Sequence, residues 1–192
     1  AKFEKMVKDA EAPITAWPQG RLQAMCSDGE QGLWAAFAAG MGTSAIGTIQ
    51  PGGQFHPAWA LDEPVQSLYW SAADKQLVAA APGSGSLLLM REGSTSVRRL
   101  ASIPKGSGRI SGLAMDTAGG VWTALHDGWG IVRISPEGEL DRLIALPVPC
   151  PTDLAIGGAE GKTLYITTAR QSVPLDVLAN APLSGSLFVT EL

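Results

Sequence analysis

The residues of this 192-residue chain whose types could do chemistry are few. His126 and Asp127 adjoin in LHDGWG, His56 stands alone in GQFHP, and the two cysteines are Cys26 and Cys150. A His-Asp pair invites a hydrolytic reading, with the carboxylate orienting an imidazole that activates a nucleophile. No serine lies in a strand-turn-helix elbow that would present that nucleophile, and the two histidines are not at metal-ligand spacing. Neither histidine is therefore expected to be catalytic. The cysteines make neither a disulfide framework nor a metal site and read as free thiols, with Cys26 filling core volume. Asp153, in PTD, is either a carboxylate facing a binding site or a turn residue accepting backbone N–H groups. Trp129, between Gly128 and Gly130, is the one tryptophan placed to stack an exposed ring on a sugar. GSGS at 83–86 and GSG at 106–108 open no helix and are turns, not phosphate loops.

The elements that must position these residues come from a repeat. Four short apolar runs, LWAAF, LVAAA, VWTAL and LYITT, have second residues Trp34, Val78, Trp122 and Tyr165, separated by 44, 44 and 43 positions. A fixed period of that size signals a repeat architecture. Each period holds four short runs bounded by Gly, Pro, Asp and Ser, which read as strands. Four strands per repeat make a blade, and the fold class is an all-β propeller. Asp28 and Asp116 align in the turn before the central strand and are turn formers. The repeats run from Arg21 to Asp62, Val65 to Lys105, Ile110 to Pro149 and Pro151 to Leu192.

Residues 1–12 read as a linker helix that Pro13 stops, and residues 13–192 as the propeller domain. Ile14–Trp17 reads as a lone strand, and the last repeat lacks its fourth. A closed ring would pair Ile14–Trp17 with Leu187–Thr190 and remove two open edges; otherwise 14–17 belongs to a further blade. The fourth repeat also carries an insert, Ala169–Leu183, in which Pro174–Ala181 reads as helical turns packed by Leu175, Val177 and Leu178.

Composition narrows the function classes. A formal net charge of −4 gives no electrostatic footprint for nucleic acid. No run of 18 apolar residues and no leader pattern is present, so the expectation is a cytoplasmic chain without a membrane partner.

The runs ISGLAMDTAGGVWTALHDGWGIVRISPEGEL, LPVPCPTDLAIGGAEGKTLYITTAR and APLSGSLFV resemble the C-terminal part of the senescence-marker-protein, gluconolactonase and luciferin-regenerating-enzyme family, the regucalcin type. That resemblance implies a six-bladed propeller in full-length members, a divalent metal in the central channel and sugar-lactone hydrolysis. It covers Arg21 to Leu192, as the last four blades, and the Glu ligand of the first blade has no counterpart. The family pattern R-x-N-D-G falls on Arg21, Leu22, Gln23, Ala24 and Met25, keeping only the substrate-binding arginine. P-N-G-L-x-W falls on Val65 to Trp70, so Gln66 replaces the Asn ligand. P-D-G falls on Ile110, Ser111 and Gly112, so Ser111 replaces the Asp that is ligand and general base. Hard divalent cations need carboxylates to offset their charge, and Gln66 and Ser111 supply neutral oxygens.

The reading that follows is a degenerate gluconolactonase-like propeller that binds a sugar acid or lactone without catalysis. Arg21, Gln23, Gln66, Ser111, Asp153 and Trp129 are its ligand-binding residues, with no cofactor. Family-like domains of this kind occur fused to DNA-binding regulators, including the isocitrate-lyase-regulator type, so the chain would suit the effector-sensing part of a regulator or a homo-oligomer. The alternatives are a calcium- or zinc-dependent lactone hydrolase completed by another segment or subunit, and a scaffold for protein partners.

Overall fold

A computed structural model of the chain describes residues 20–51, 53–171 and 173–192. The expected linker helix and the strand at 14–17, with its pairing to 187–190, lie outside the described residues. The fold is nearly all β, in four antiparallel sheets. The first blade is β1 (Leu22–Ser27), β2 (Leu33–Gly40), β3 (Thr43–Ile49) and β4 (Phe55–Leu61). The second is β5 (Ser67–Ser71), β6 (Gln76–Ala81), β7 (Ser86–Arg91) and β8 (Val97–Ser102). The third is β9 (Arg109–Met115), β10 (Val121–His126), β11 (Gly130–Ile134) and β12 (Leu140–Ala145). The fourth, among the described residues, is β13 (Pro151–Gly157), β14 (Thr163–Thr168) and β15 (Phe188–Glu191).

Continuous apolar runs form the central strands because each inner blade is buried on both faces, and successive side chains go to opposite sides. On β6, Leu77, Ala79 and Ala81 enter the cluster against the first blade, while Val78 and Ala80 enter the cluster against the third. On β10, Val121 and Leu125 face the second blade, and Trp122 and Ala124 face the fourth. One strand thus serves two cores. The fourth blade differs: Leu154, Leu164 and Ile166 are buried against the third, whereas Tyr165 and Val189, paired across β14 and β15, are exposed on its other face.

The turn formers behave as the sequence predicted. Asp28 Oδ1 accepts from the N–H groups of Glu30 and Gly32, and Asp116 Oδ1 from those of Ala118 and Gly120. Trp34 and Trp122 are core residues, and both cysteines are free thiols. Cys26 is half-buried beside the first cluster, and burial pushes its thiol up to about 12.

The insert does contain a helix, α1 (Leu175–Asn180), but its packing is not as expected. None of its residues is buried, Leu175 is 85% exposed, and Val177 and Leu178 are half-buried. The helix is too short to turn an apolar stripe onto the sheet.

Candidate functional site

The first strands of the blades, β1, β5, β9 and β13, pack in sequence order, each against the next. Their starting ends carry the residues singled out above. Arg21, just before β1, is exposed, and its carbonyl accepts from the Ala38 N–H at 2.9 Å. Gln23 Oε1 lies 2.6 Å from the Ser44 hydroxyl and 3.3 Å from the Val65 N–H, both of them donors. Gln23 therefore ties the first blade to the entry of the second. Gln66 is exposed and its N–H donates to the Ala80 carbonyl at 2.8 Å.

Ser111 and Asp153 meet at the junction of the third and fourth blades. The Ser111 hydroxyl is buried and donates to the Thr152 carbonyl at 2.6 Å. Asp153 is exposed, with Oδ1 accepting from the N–H of Leu154 at 2.9 Å. Gly112 lets the two strands approach, because a Cβ there would overlap both the Cα and the carboxylate of Asp153. The structure thus joins the predicted residues in two pairs of neighbourhoods, Gln23 with the residue before Gln66, and Ser111 with the residue before Asp153.

Two cavities open elsewhere. One, of about 800 Å³, lies between the β5–β6 and β9–β10 turns, with Trp70, Asp74, Arg98 and Asp116 in its wall. The other, of about 540 Å³, includes Asp28, Trp34, Lys75 and Glu92. Neither is lined by any of the predicted binding residues.

A third constellation was not visible in the sequence. The β10–β11 turn places Asp127 and Trp129 in the left-handed region, with φ of 65° and 55°. That geometry brings Asp127 Oδ2 to 3.1 Å from His126 Nδ1, while the Cys150 thiol donates to Asp127 Oδ1 at 3.2 Å. Arg109, at the start of β9, reaches both groups through Nη2, 3.1 Å from His126 Nδ1 and 3.3 Å from Asp127 Oδ2. Arginine has donors only and a carboxylate acceptors only, so His126 Nδ1 accepts from Arg109 in one tautomer and donates to Asp127 in the other. Burial pushes the Asp127 carboxyl up, but the neighbouring Cys150 thiol, His126 and Arg109 outweigh it and hold it below its ordinary value. Burial, then the facing Asp127, raises the Cys150 thiol. Trp129 is 41% exposed at the rim of this cluster, and its N–H donates to Pro149 O at 3.3 Å.

Spacing along the chain could not reveal this group, because Asp127 and Cys150 are 23 residues apart and Cys150 lies in the link between the third and fourth repeats. The usable signal was positional. The turn after a blade's second strand and the residues before the next blade's first strand lie at the same end of neighbouring sheets.

The family assignment rests on the sequence that builds these blades. The SMP-30/Gluconolactonase/LRE-like region matches residues 68–170. The chain belongs to that family. It is 38% identical over 138 residues to the 6-deoxy-6-sulfogluconolactonase of Pseudomonas putida, covering 70% of this chain and 42% of that protein. It is 38% identical over 97 residues to the L-arabinolactonase of Azospirillum brasilense, covering 50% of this chain and 31% of that one. Among solved structures it is similar to the calcium-binding protein regucalcin from Agrobacterium tumefaciens, with a TM-score of 0.72, 17% identity and coverage of 83% and 57% of the two chains. At that identity the likeness shows the fold alone. The chain spans less than half the length of the two lactonases it matches.

Proposed function

We propose that this family member binds a sugar lactone or sugar acid at the starting ends of its first strands and does not hydrolyse it. The observation that carries the reading is Ser111. It stands where the family pattern has a ligating and proton-accepting Asp, and its hydroxyl is committed to the Thr152 carbonyl. A metal-activated water needs the metal's charge to lower its pKa and a base to take the proton. Gln23, Gln66 and Ser111 offer neutral oxygens, and Gln23 is already held by Ser44 and Val65. These residues do not fit the hard divalent cation of the family's central channel, which calls for several charged oxygens, so no step is assigned to one.

An exposed arginine among neutral hydrogen-bonding groups suits a carboxylate or a polyhydroxylated ligand, since its planar fork binds oxygens in pairs. A domain of this kind would serve as the effector-sensing part of a larger regulator. The test is calorimetry with gluconate, galactonate and their lactones, run beside a lactone-hydrolysis assay with and without calcium or zinc. Binding without turnover, weakened by Arg21→Ala, is the expected result.

One observation favours a second reading. The 38% identity to two lactonases raises hydrolysis by a site completed with further ligands, in which Asp153 would be the axial carboxylate. Metal-dependent hydrolysis lost in Asp153→Asn would establish that reading in place of the first.

A further inference from the structure

We propose that His126, Asp127 and Cys150 form a binding site for a zinc-class divalent cation at the junction of the third and fourth blades, with the Arg109 guanidinium occupying the cation's place in its absence. One ligand atom from each of the three residues lies within 4.8 Å of the others. Zinc bonds of about 2.0–2.3 Å in a tetrahedron set ligand atoms roughly 3.3–3.7 Å apart. His126 Nδ1 lies 3.1 Å from Asp127 Oδ2 and Cys150 Sγ lies 3.2 Å from Asp127 Oδ1, so the carboxylate sits between the other two ligands and turns a different oxygen to each.

The donor set selects the metal class. Imidazole and thiolate favour zinc and its transition-metal neighbours over calcium and magnesium, which want oxygen alone. This separates the cluster from the hard-cation channel of the family. Three protein ligands leave the fourth tetrahedral position to water or to an oxygen of a bound molecule.

The backbone holds two of the ligands in advance. Gly128 N–H donates to Leu125 O at 2.8 Å, closing the turn that carries Asp127, and Ala169 N–H donates to Cys150 O at 2.8 Å, fixing the sulfur-bearing residue where the chain enters the next blade. Asp127 Oδ2, and His126 Nδ1 in the tautomer that leaves it unprotonated, both direct lone pairs at one cation, the Arg109 side chain. That side chain is 66% exposed, so it can swing into solvent and yield its place. On binding, the Cys150 thiol gives its proton to solvent and its sulfur lone pair to the metal.

The experiment is a cobalt(II) titration of the reduced chain under nitrogen, in wild type and in Arg109→Gln. Tetrahedral cobalt with a thiolate ligand gives visible d–d bands and a near-ultraviolet sulfur-to-metal charge-transfer band, both removed by one equivalent of zinc and unaffected by calcium. Arg109→Gln is expected to bind about tenfold tighter, because one like charge beside the metal is gone. Cys150→Ser should lose the charge-transfer band and Cys26→Ala should keep it, with far-ultraviolet circular dichroism unchanged in both. Native mass spectrometry of the unmodified chain should show one zinc. Absence of the charge-transfer band in folded Arg109→Gln at saturating cobalt, or its persistence in Cys150→Ser, would overturn the proposal and leave the cluster a hydrogen-bonded staple between blades.

Discussion

The indole of Trp122 donates to Asp116 Oδ2 over 2.8 Å, and this bond has no counterpart in the first blade. Trp34 follows Asp28 by the same six residues, yet its buried Nε1 has no hydrogen-bond partner among the described residues. The difference traces to the facing strand. Arg133 pairs opposite Trp122 and draws Asp116 into two hydrogen bonds, Nε to Oδ2 at 2.6 Å and Nη2 to Oδ1 at 3.0 Å. Thr48 stands opposite Trp34 and supplies no charge. Trp34 packs instead against the tilted rings of Trp59 and Trp70, with ring centroids 5.4 and 5.0 Å away.

Matched substitutions should therefore cost unequal amounts in the two blades. Asp116→Ala strands a half-buried arginine that keeps only Asp141 and removes the acceptor of Trp122, so about 2–4 kcal/mol is expected. Asp28→Ala removes only two turn hydrogen bonds and should cost about 1 kcal/mol. Urea denaturation of the two variants measures the difference, and equal losses would contradict the role given to Arg133.

The same carboxylate sets an acid limit. Burial pushes Asp116 up, but the hydrogen bonds from Arg133, Trp122 and Gly120 outweigh it and hold the group below its ordinary value of 3.8. A depressed folded value means the stabilisation is fully present above the unfolded-state pKa and is lost as pH falls through the folded one. Unfolding free energy should decline below pH 3.8 more steeply in wild type than in Asp116→Asn. Parallel acid profiles for the two proteins would show that Asp116 is not responsible.

The sequence shows some of this architecture plainly and hides the rest. The period linking Trp34 to Trp122, and the Asp28 and Asp116 turns, are local and repeat at fixed spacing, so the blades are readable. Leu175 looked like a packing residue by composition, but whether α1 reaches a core depends on where the insert leaves the sheet. Gln23 and Ser111 occupy ligand positions in the family pattern, and only the structure finds Gln23 tied to Ser44 and Val65 and Ser111 tied to Thr152. His126, Asp127 and Cys150 meet because two blades stack, which no linear spacing records.

Gly112 should be intolerant of even one methyl group. A Cβ there overlaps the Cα of Asp153 as well as its carboxylate, and backbone cannot rotate away. Gly112→Ala is expected to cost about 1–3 kcal/mol by forcing β9 and β13 apart. Adding Asp153→Ala removes the carboxylate but not the Cα, so the double variant should stay destabilised when compared with Asp153→Ala alone. Full recovery in the double variant would mean that the strands are held by side chains only.

Trp129 separates a binding role from a packing role. Its backbone sits at φ 55°, where a side chain costs about 1 kcal/mol relative to glycine, and its ring is 41% exposed. Its backbone bonds, N–H to Pro149 O at 3.3 Å and O from Leu146 N–H at 2.7 Å, do not depend on the ring. Trp129→Gly should therefore be more stable than Trp129→Ala by about 1 kcal/mol. Both should unfold later in urea than Trp122→Ala, whose ring is only 1% exposed and whose loss costs about 3–5 kcal/mol. If Trp129 stacks on the ligand, both of its variants should weaken sugar-acid binding by the same factor, since each removes the ring completely. Unchanged affinity in both, measured by calorimetry beside the denaturation curves, would assign the ring to packing and remove it from the binding site.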